Sequence, residues 1–354
     1  MPNWTGTARP YGEWPEWLQR WWRRAQHEGG GFCDNAGAFA DWRPETIRTA
    51  REAVGQFISG LDPDRDGAFI CPETIRAYLS YMTDRGLAIR TIYTRIVYLY
   101  RVAKRVWPPE DQWHWLATIS ARLGARARKA PKPRRPFVHM DDLFSTGIEL
   151  MDDANARDLS LYAALQFRDG LLLSLLATAP VRLKNAANAT DRNINTEHCT
   201  LNWQEHETKN HHPLSYHIGS DLTMRLQIWI DIYRPWILDR FGKQTDALWL
   251  NRHGDPLSAK GLRTRLKVRT QAALGVAVRP HDIRSCVATS ILMEFPERIQ
   301  EARELLGHVN PKSIESYKGP NAAFGAQRKT SAIRAEIRKN ARPRARPRLR
   351  LQAT

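Results

Sequence analysis

His281, Arg284, His308 and Tyr317 all fall between Arg279 and Gly319. Two imidazoles, a guanidinium and a phenol have one obvious joint use, which is nucleophilic attack on a phosphodiester. The cation offsets the charge that repels nucleophiles, an imidazole takes the phenolic proton, and the oxygen attacks phosphorus. That use requires the four groups to converge, so the elements carrying them matter. Pro280 suits the first turn of a helix, which places His281 and Arg284, three residues apart, on one face. An amphipathic stretch, Ile299 to Leu306, follows and meets a helix stop at Gly307, with His308 just beyond. Asn310-Pro311 reads as an N-cap and first position of a short helix closed by Gly319-Pro320. Ile314 lies one turn before Tyr317, so an inward Ile314 draws Tyr317 inward too.

This pattern resembles the tyrosine recombinase (phage integrase) family. The resemblance is carried by His281-Asp282-Ile283-Arg284, Ala288-Thr289, Leu305-Leu306-Gly307-His308, and Tyr317 nine residues after that histidine. A lone H-x-x-R occurs in many basic helices; the ordered set is far more specific. The family places a first arginine after an apolar helix, and here Ala179-Pro180-Val181-Arg182-Leu183-Lys184-Asn185 occupies that place. Pro180 and Asn185 depart from the family's glycine and acidic residue. An amide accepts a weaker hydrogen bond than a carboxylate, which puts the bracing of Arg182 in question. The family's lysine sits in a β-turn, and Thr208-Lys209-Asn210 fits; Lys184 is a competing candidate.

The resemblance implies ATP- and metal-independent strand cleavage, with no cofactor. Arg182 and Arg284 would neutralise the phosphate, and Tyr317 would displace the 5′-oxygen and leave a 3′-phosphotyrosine. His281 is the candidate base, Lys209 the candidate acid for the leaving oxygen, and His308 a hydrogen-bond donor to the phosphoryl group. It also implies double-stranded DNA as partner, a homotetramer on DNA, and accessory DNA-bending proteins as candidates. Two alternatives stay open: a type IB-like topoisomerase, and a DNA-binding protein that has lost its activity.

Charge is compatible with a polyanionic partner. The chain of 354 residues carries 54 Lys and Arg against 37 Asp and Glu, for +17 at neutral pH. Arg122 to Arg135 holds seven basic residues and no acidic one, and Arg328 to Thr354 ten and one. Two such segments beside a nearly neutral remainder read either as arms that grip phosphates or as a solvated linker and a frayed tail. The four cysteines are scattered without metal-ligand spacing and read as reduced thiols. The beginning of the chain lacks an apolar signal core, and the most apolar run, Gly170 to Val181, is too short to span a bilayer. A cytoplasmic, nucleoid-associated protein with no membrane partner is expected.

The organisation expected is mainly helical, of the α+β class. Residues 1–44 form a Trp-rich extension, with a helix over Glu16 to His27 whose tryptophans read as packing anchors. Apolar steps at Ile47, Ala50, Val54, Phe57 and Leu61 mark the first helix of a core-binding domain over 45–125. Ile75, Tyr78, Leu79 and Met82 mark a second, and Ile92, Ile96, Leu99, Ala103 and Val106 a third. Asp62 to Glu73 fits a calcium-loop template, but stands alone and also reads as a helix connector. A basic linker, 126–137, is expected to be extended by its prolines. The catalytic domain is assigned to 138–338 and a basic tail to 339–354. Within the former, an apolar helix from Leu159 to Ala177 delivers Arg182, and Cys199–Trp203 with Leu214–Ile218 form a small antiparallel sheet. Helix resumes from Leu222 to Phe241 with a bend at Pro235, and Arg263, Arg265, Lys267 and Arg269 form a candidate DNA-facing row.

Overall fold

The computed structural model describes residues 4–27, 29, 36–61, 69–107, 110–131, 135–209 and 211–307. His308, Tyr317, the basic tail and most of the calcium-like loop therefore lie outside the described residues. The chain divides into two compact units, 1–133 and 134–354.

The first unit contains α1 (Glu16–Ala25), α2 (Pro44–Ile58), α3 (Pro72–Asp84), α4 (Ile89–Val106) and α5 (His114–Lys129). The apolar steps read from the sequence become its core: Val54, Phe57, Ile75, Tyr78, Ile96 and Leu99 are buried. Trp4, Trp14, Trp22 and Trp42 belong to the same cluster, so the Trp-rich segment packs into this unit's interior. Arg101 and Arg105 lie over the Trp42 ring at 4.9 and 5.2 Å. The expected extended linker begins later than 126, because α5 continues to Lys129. Its last turn is rich in Arg and Lys, which favour a helix C-terminus, and the first proline comes only at Pro131.

The second unit begins with α6 (Met140–Asn155) and α7 (Leu161–Thr178). Ser160 caps α7 by accepting from the Ala163 amide at 3.2 Å. Fourteen of its eighteen residues are buried, which is why its apolar residues surround the whole helix. At the crossing of α6 and α7 two glycines meet. A Cβ on Gly170 would stand 2.5 Å from the Gly147 carbonyl oxygen, and one on Gly147 would stand 2.1 Å from Ser174 Oγ.

Helix α8 (Leu183–Ala187) follows, then β1 (Ile194–Asn195), β2 (Thr200–Trp203) and β3 (Leu214–His217). They form one antiparallel sheet in the order β1-β2-β3, with Leu201 opposite Tyr216. The pairing of the two longer strands is as the sequence suggests; β1, only two residues long, carries too little pattern to be read. The helix expected over 222–241 is instead α9 (Gly219–Ile228), a π turn (Trp229–Tyr233) and α10 (Arg234–Phe241). Pro235 has no N–H and its ring crowds the carbonyl four residues back, so the wider turn before it takes up the misfit. Helices α11 (Ala259–Leu274), α12 (Pro280–Glu294) and α13 (Ile299–Leu305) complete the unit. Among the described residues no helix is long and apolar enough to cross a membrane.

Candidate active site

Helix α12 starts where Pro280 predicts. Asp282 accepts from the Arg279 amide at 3.2 Å and from its Nε at 2.7 Å, closing the first turn. The helix then buries Ile283, Cys286 and Val287, which turns Arg284 inward, with only 4 % of its surface exposed. Its Nη1 donates to the Pro180 carbonyl, and its Nη2 to the Leu306 carbonyl at 2.7 Å. These bonds use two of the five guanidinium donors. They join the turn preceding Arg182, helix α12, and the end of α13.

Arg182 occupies the position just before α8 in an extended conformation, two residues after Pro180. It lies close enough that its charge and that of Arg284 bear on the Tyr216 phenol, opposing the upward push of burial on that group. Asn185, where the family has an acidic residue, is buried, and its Nδ2 donates to the Glu207 carbonyl at 3.4 Å. The amide nitrogen that replaces a carboxylate oxygen is therefore a donor. It braces α8 against the loop before Lys209, a bond that a carboxylate could not make.

Lys209 is exposed in the turn between β2 and β3. Thr208 organises that turn, donating from its buried hydroxyl to the His212 carbonyl at 2.8 Å and accepting from the His212 amide at 3.1 Å. Lys184 is exposed on α8. The segments carrying Arg182, Lys209 and Arg284 are thus linked through Asn185–Glu207 and Arg284–Pro180. His281 stands one turn before Arg284 on α12, on the side reached by Arg135, whose Nη1 donates to Ser285 Oγ at 2.9 Å.

Partial burial and the positive charges of Arg135 and Arg284 lower the His281 pKa below its ordinary 6.5. The imidazole is accordingly neutral at pH 7 and able to accept a proton. If it serves as base, cleavage should be flat near neutrality and should fall on acidification only below 6.5, as protonation removes the acceptor. Single-turnover rates across that range check this. His281→Asn should be slower and lack the acid limb; an acid limb centred above 6.5 in the parent protein would remove His281 from the role.

Two features escaped the sequence reading. Asp169 on α7 is fully buried and accepts from Arg168 Nε at 3.1 Å, Arg265 Nη2 at 2.8 Å and Arg269 Nε at 2.9 Å. Burial alone would raise its pKa; the charges of Arg168 and Arg265 overcome this and hold the carboxyl below its usual range. Arg265 and Arg269 consequently do not form the expected DNA-facing row with Arg263 and Lys267, because a buried carboxylate draws them toward α7. The second feature is Tyr216, whose hydroxyl donates to the Leu305 carbonyl at 3.0 Å.

Residues 149–323 match the Phage integrase family. Among curated proteins, the tyrosine recombinase XerC of Listeria welshimeri is 28 % identical over 155 residues, covering 43 % of this chain and 50 % of the relative. This chain thus spans about half the length of those first relatives. XerC of Bacillus subtilis is 25 % identical over 264 residues, covering 73 % of this chain and 79 % of the relative. Among solved structures, the XerH site-specific recombinase bound to a palindromic difH substrate aligns with TM-score 0.55 and 17 % identity. That alignment covers 83 % of this chain and 80 % of XerH, a likeness of fold: mostly helical, with a small antiparallel sheet. With Arg182, Lys209, His281 and Arg284 in order along it, the matched region, about half of the chain, belongs to the phage integrase, or tyrosine recombinase, family.

Proposed function

We propose that this protein is a site-specific DNA recombinase that cuts and rejoins strands through a 3′-phosphotyrosine at Tyr317. The observation that carries this reading is the junction at Arg284. One buried guanidinium holds the turn leading to Arg182 and the end of α13, and the chain continues from there to His308. Bringing the segments that carry Arg182 and Arg284 together supports a site able to neutralise a phosphodiester in attack.

In the proposed reaction His281 takes the phenolic proton of Tyr317 and the oxygen attacks phosphorus. The bond to the 5′-oxygen breaks, and that oxygen takes a proton from Lys209. Arg182, Arg284 and His308 stabilise the charge on the non-bridging oxygens. In the reverse step a 5′-hydroxyl of a partner strand attacks the phosphotyrosine, returns the phenol and forms a new phosphodiester. The ester preserves the bond energy, so no nucleotide cofactor is consumed. Holding two duplexes for that exchange calls for a homotetramer on paired DNA sites, with 45–125 and 138–338 as core-binding and catalytic domains. The relatives named tyrosine recombinase XerC, and XerH with its difH substrate, support the choice of substrate.

Nicked suicide duplexes built from the DNA flanking the gene test this. The protein should form an adduct that survives denaturation, with the modified peptide containing Tyr317; Tyr317→Phe should bind the same DNA and form none. An undiminished adduct in Tyr317→Phe would exclude that residue. Relaxation of any supercoiled plasmid without exchanged strands would replace the recombinase reading with a topoisomerase.

A further inference from the structure

Strand β3 approaches two places, the end of α13 and Gly307 just beyond it. At one, the Tyr216 hydroxyl donates to the Leu305 carbonyl at 3.0 Å; at the other, Gly307 adopts φ +56° and a Cβ there would stand 3.0 Å from Leu214 Cδ2. Between them the Leu306 carbonyl accepts from Arg284 at 2.7 Å. The last carbonyls of a helix lack partners within it. Here two successive ones are met from outside, one by the sheet and one by α12. Tyr216 is 6 % exposed and faces Trp203 edge-to-face at 6.2 Å, which fixes its ring. The turn bearing Lys209 lies in the connection from β2 to β3, after a short 3-10 turn over Glu205–Glu207.

We propose that Tyr216 is a positioning residue for strand cleavage: its hydroxyl ties the Lys209 hairpin to the end of α13, so that the hairpin and the start of the segment leading to His308 move as one body. The proposal rests on the recombinase reading for its catalytic consequence, but not for the latch itself. Without the hydroxyl, the Leu305 carbonyl loses its tether to the sheet while the ring still fills its place.

Two measurements on Tyr216→Phe decide it. In hydrogen exchange, amides of α13 should open at least about tenfold faster, while those of α7, remote from the latch, keep their protection. In single-turnover cleavage at saturating suicide DNA, adduct formation should slow about tenfold with half-saturation unchanged, since the tether acts on geometry at the reacting groups. Unchanged exchange in α13, or equal acceleration in α7 and α13, overturns the latch. Faster exchange in α13 with a parental cleavage rate overturns the positioning role. If the parent protein forms no adduct, the recombinase reading fails, and the exchange comparison still decides whether Tyr216 holds α13.

Discussion

Arg284→Ala should slow adduct formation by about 10²–10³-fold, the usual effect of removing one preorganised donor from a charged transition state. It should also destabilise the second unit, because the Pro180 and Leu306 carbonyls each lose a donor inside the protein. A buried polar group left unpaired costs about 1–3 kcal/mol. Arg284→Lys separates the two effects. An ammonium keeps the charge but cannot span both carbonyls with a planar fork, so folding should recover less than phosphate neutralisation does. Adduct rates on suicide DNA, read beside urea unfolding, check both parts. An Arg284→Ala protein cleaving within threefold of the parent would place the catalytic cation elsewhere.

The second large effect is on folding alone. Asp169→Ala should lower the stability of the second unit by about 3–5 kcal/mol, because it strands a buried arginine without its counterion. Arg168 is 2 % exposed and, among the described residues, would keep the neutral Leu250 carbonyl as its partner. Arg265 and Arg269 are nearer the surface and could rehydrate, so the cost falls mainly on Arg168. The sign with pH follows from the lowered carboxyl pKa. The contribution is complete above the ordinary aspartate value of 3.8 and is lost as pH falls through the lower folded value. A urea midpoint for Asp169→Ala equal to the parent's would show the cluster to be dispensable.

Much of this was legible from local pattern. The apolar stripes of α2, α3 and α4, the all-round burial of α7, the Pro280 start and Gly307 stop, and the strand pair around Lys209 all depend on neighbours within a few residues. Contacts spanning the chain were not legible. Arg269 meets Asp169 across 100 positions and Tyr216 meets Leu305 across 89, and no spacing rule connects them. The residues from Arg263 to Arg269 therefore read as a DNA-facing segment, although two of them serve a buried carboxylate. Asn185 read as a weakened acceptor because the family's acidic residue accepts; its amide nitrogen uses the opposite polarity. The π turn was missed because Pro235 signals a break but not how the preceding turn absorbs it.

The glycine crossing of α6 and α7 bears on how this chain can change over generations. Every other residue adds a Cβ, and at Gly170 that atom would collide with backbone from the opposite helix. Backbone cannot step aside as a side-chain tip can, so no gradual route of slightly larger residues exists at this position. Helix α7 leads into the turn that carries Arg182, so parting the helices would carry that arginine with it. Under the recombinase reading, DNA-contacting surfaces can drift toward new target sites one residue at a time. The α6–α7 contact has no such freedom, and a lineage acquiring new target sequences would be expected to vary around a crossing that stays fixed.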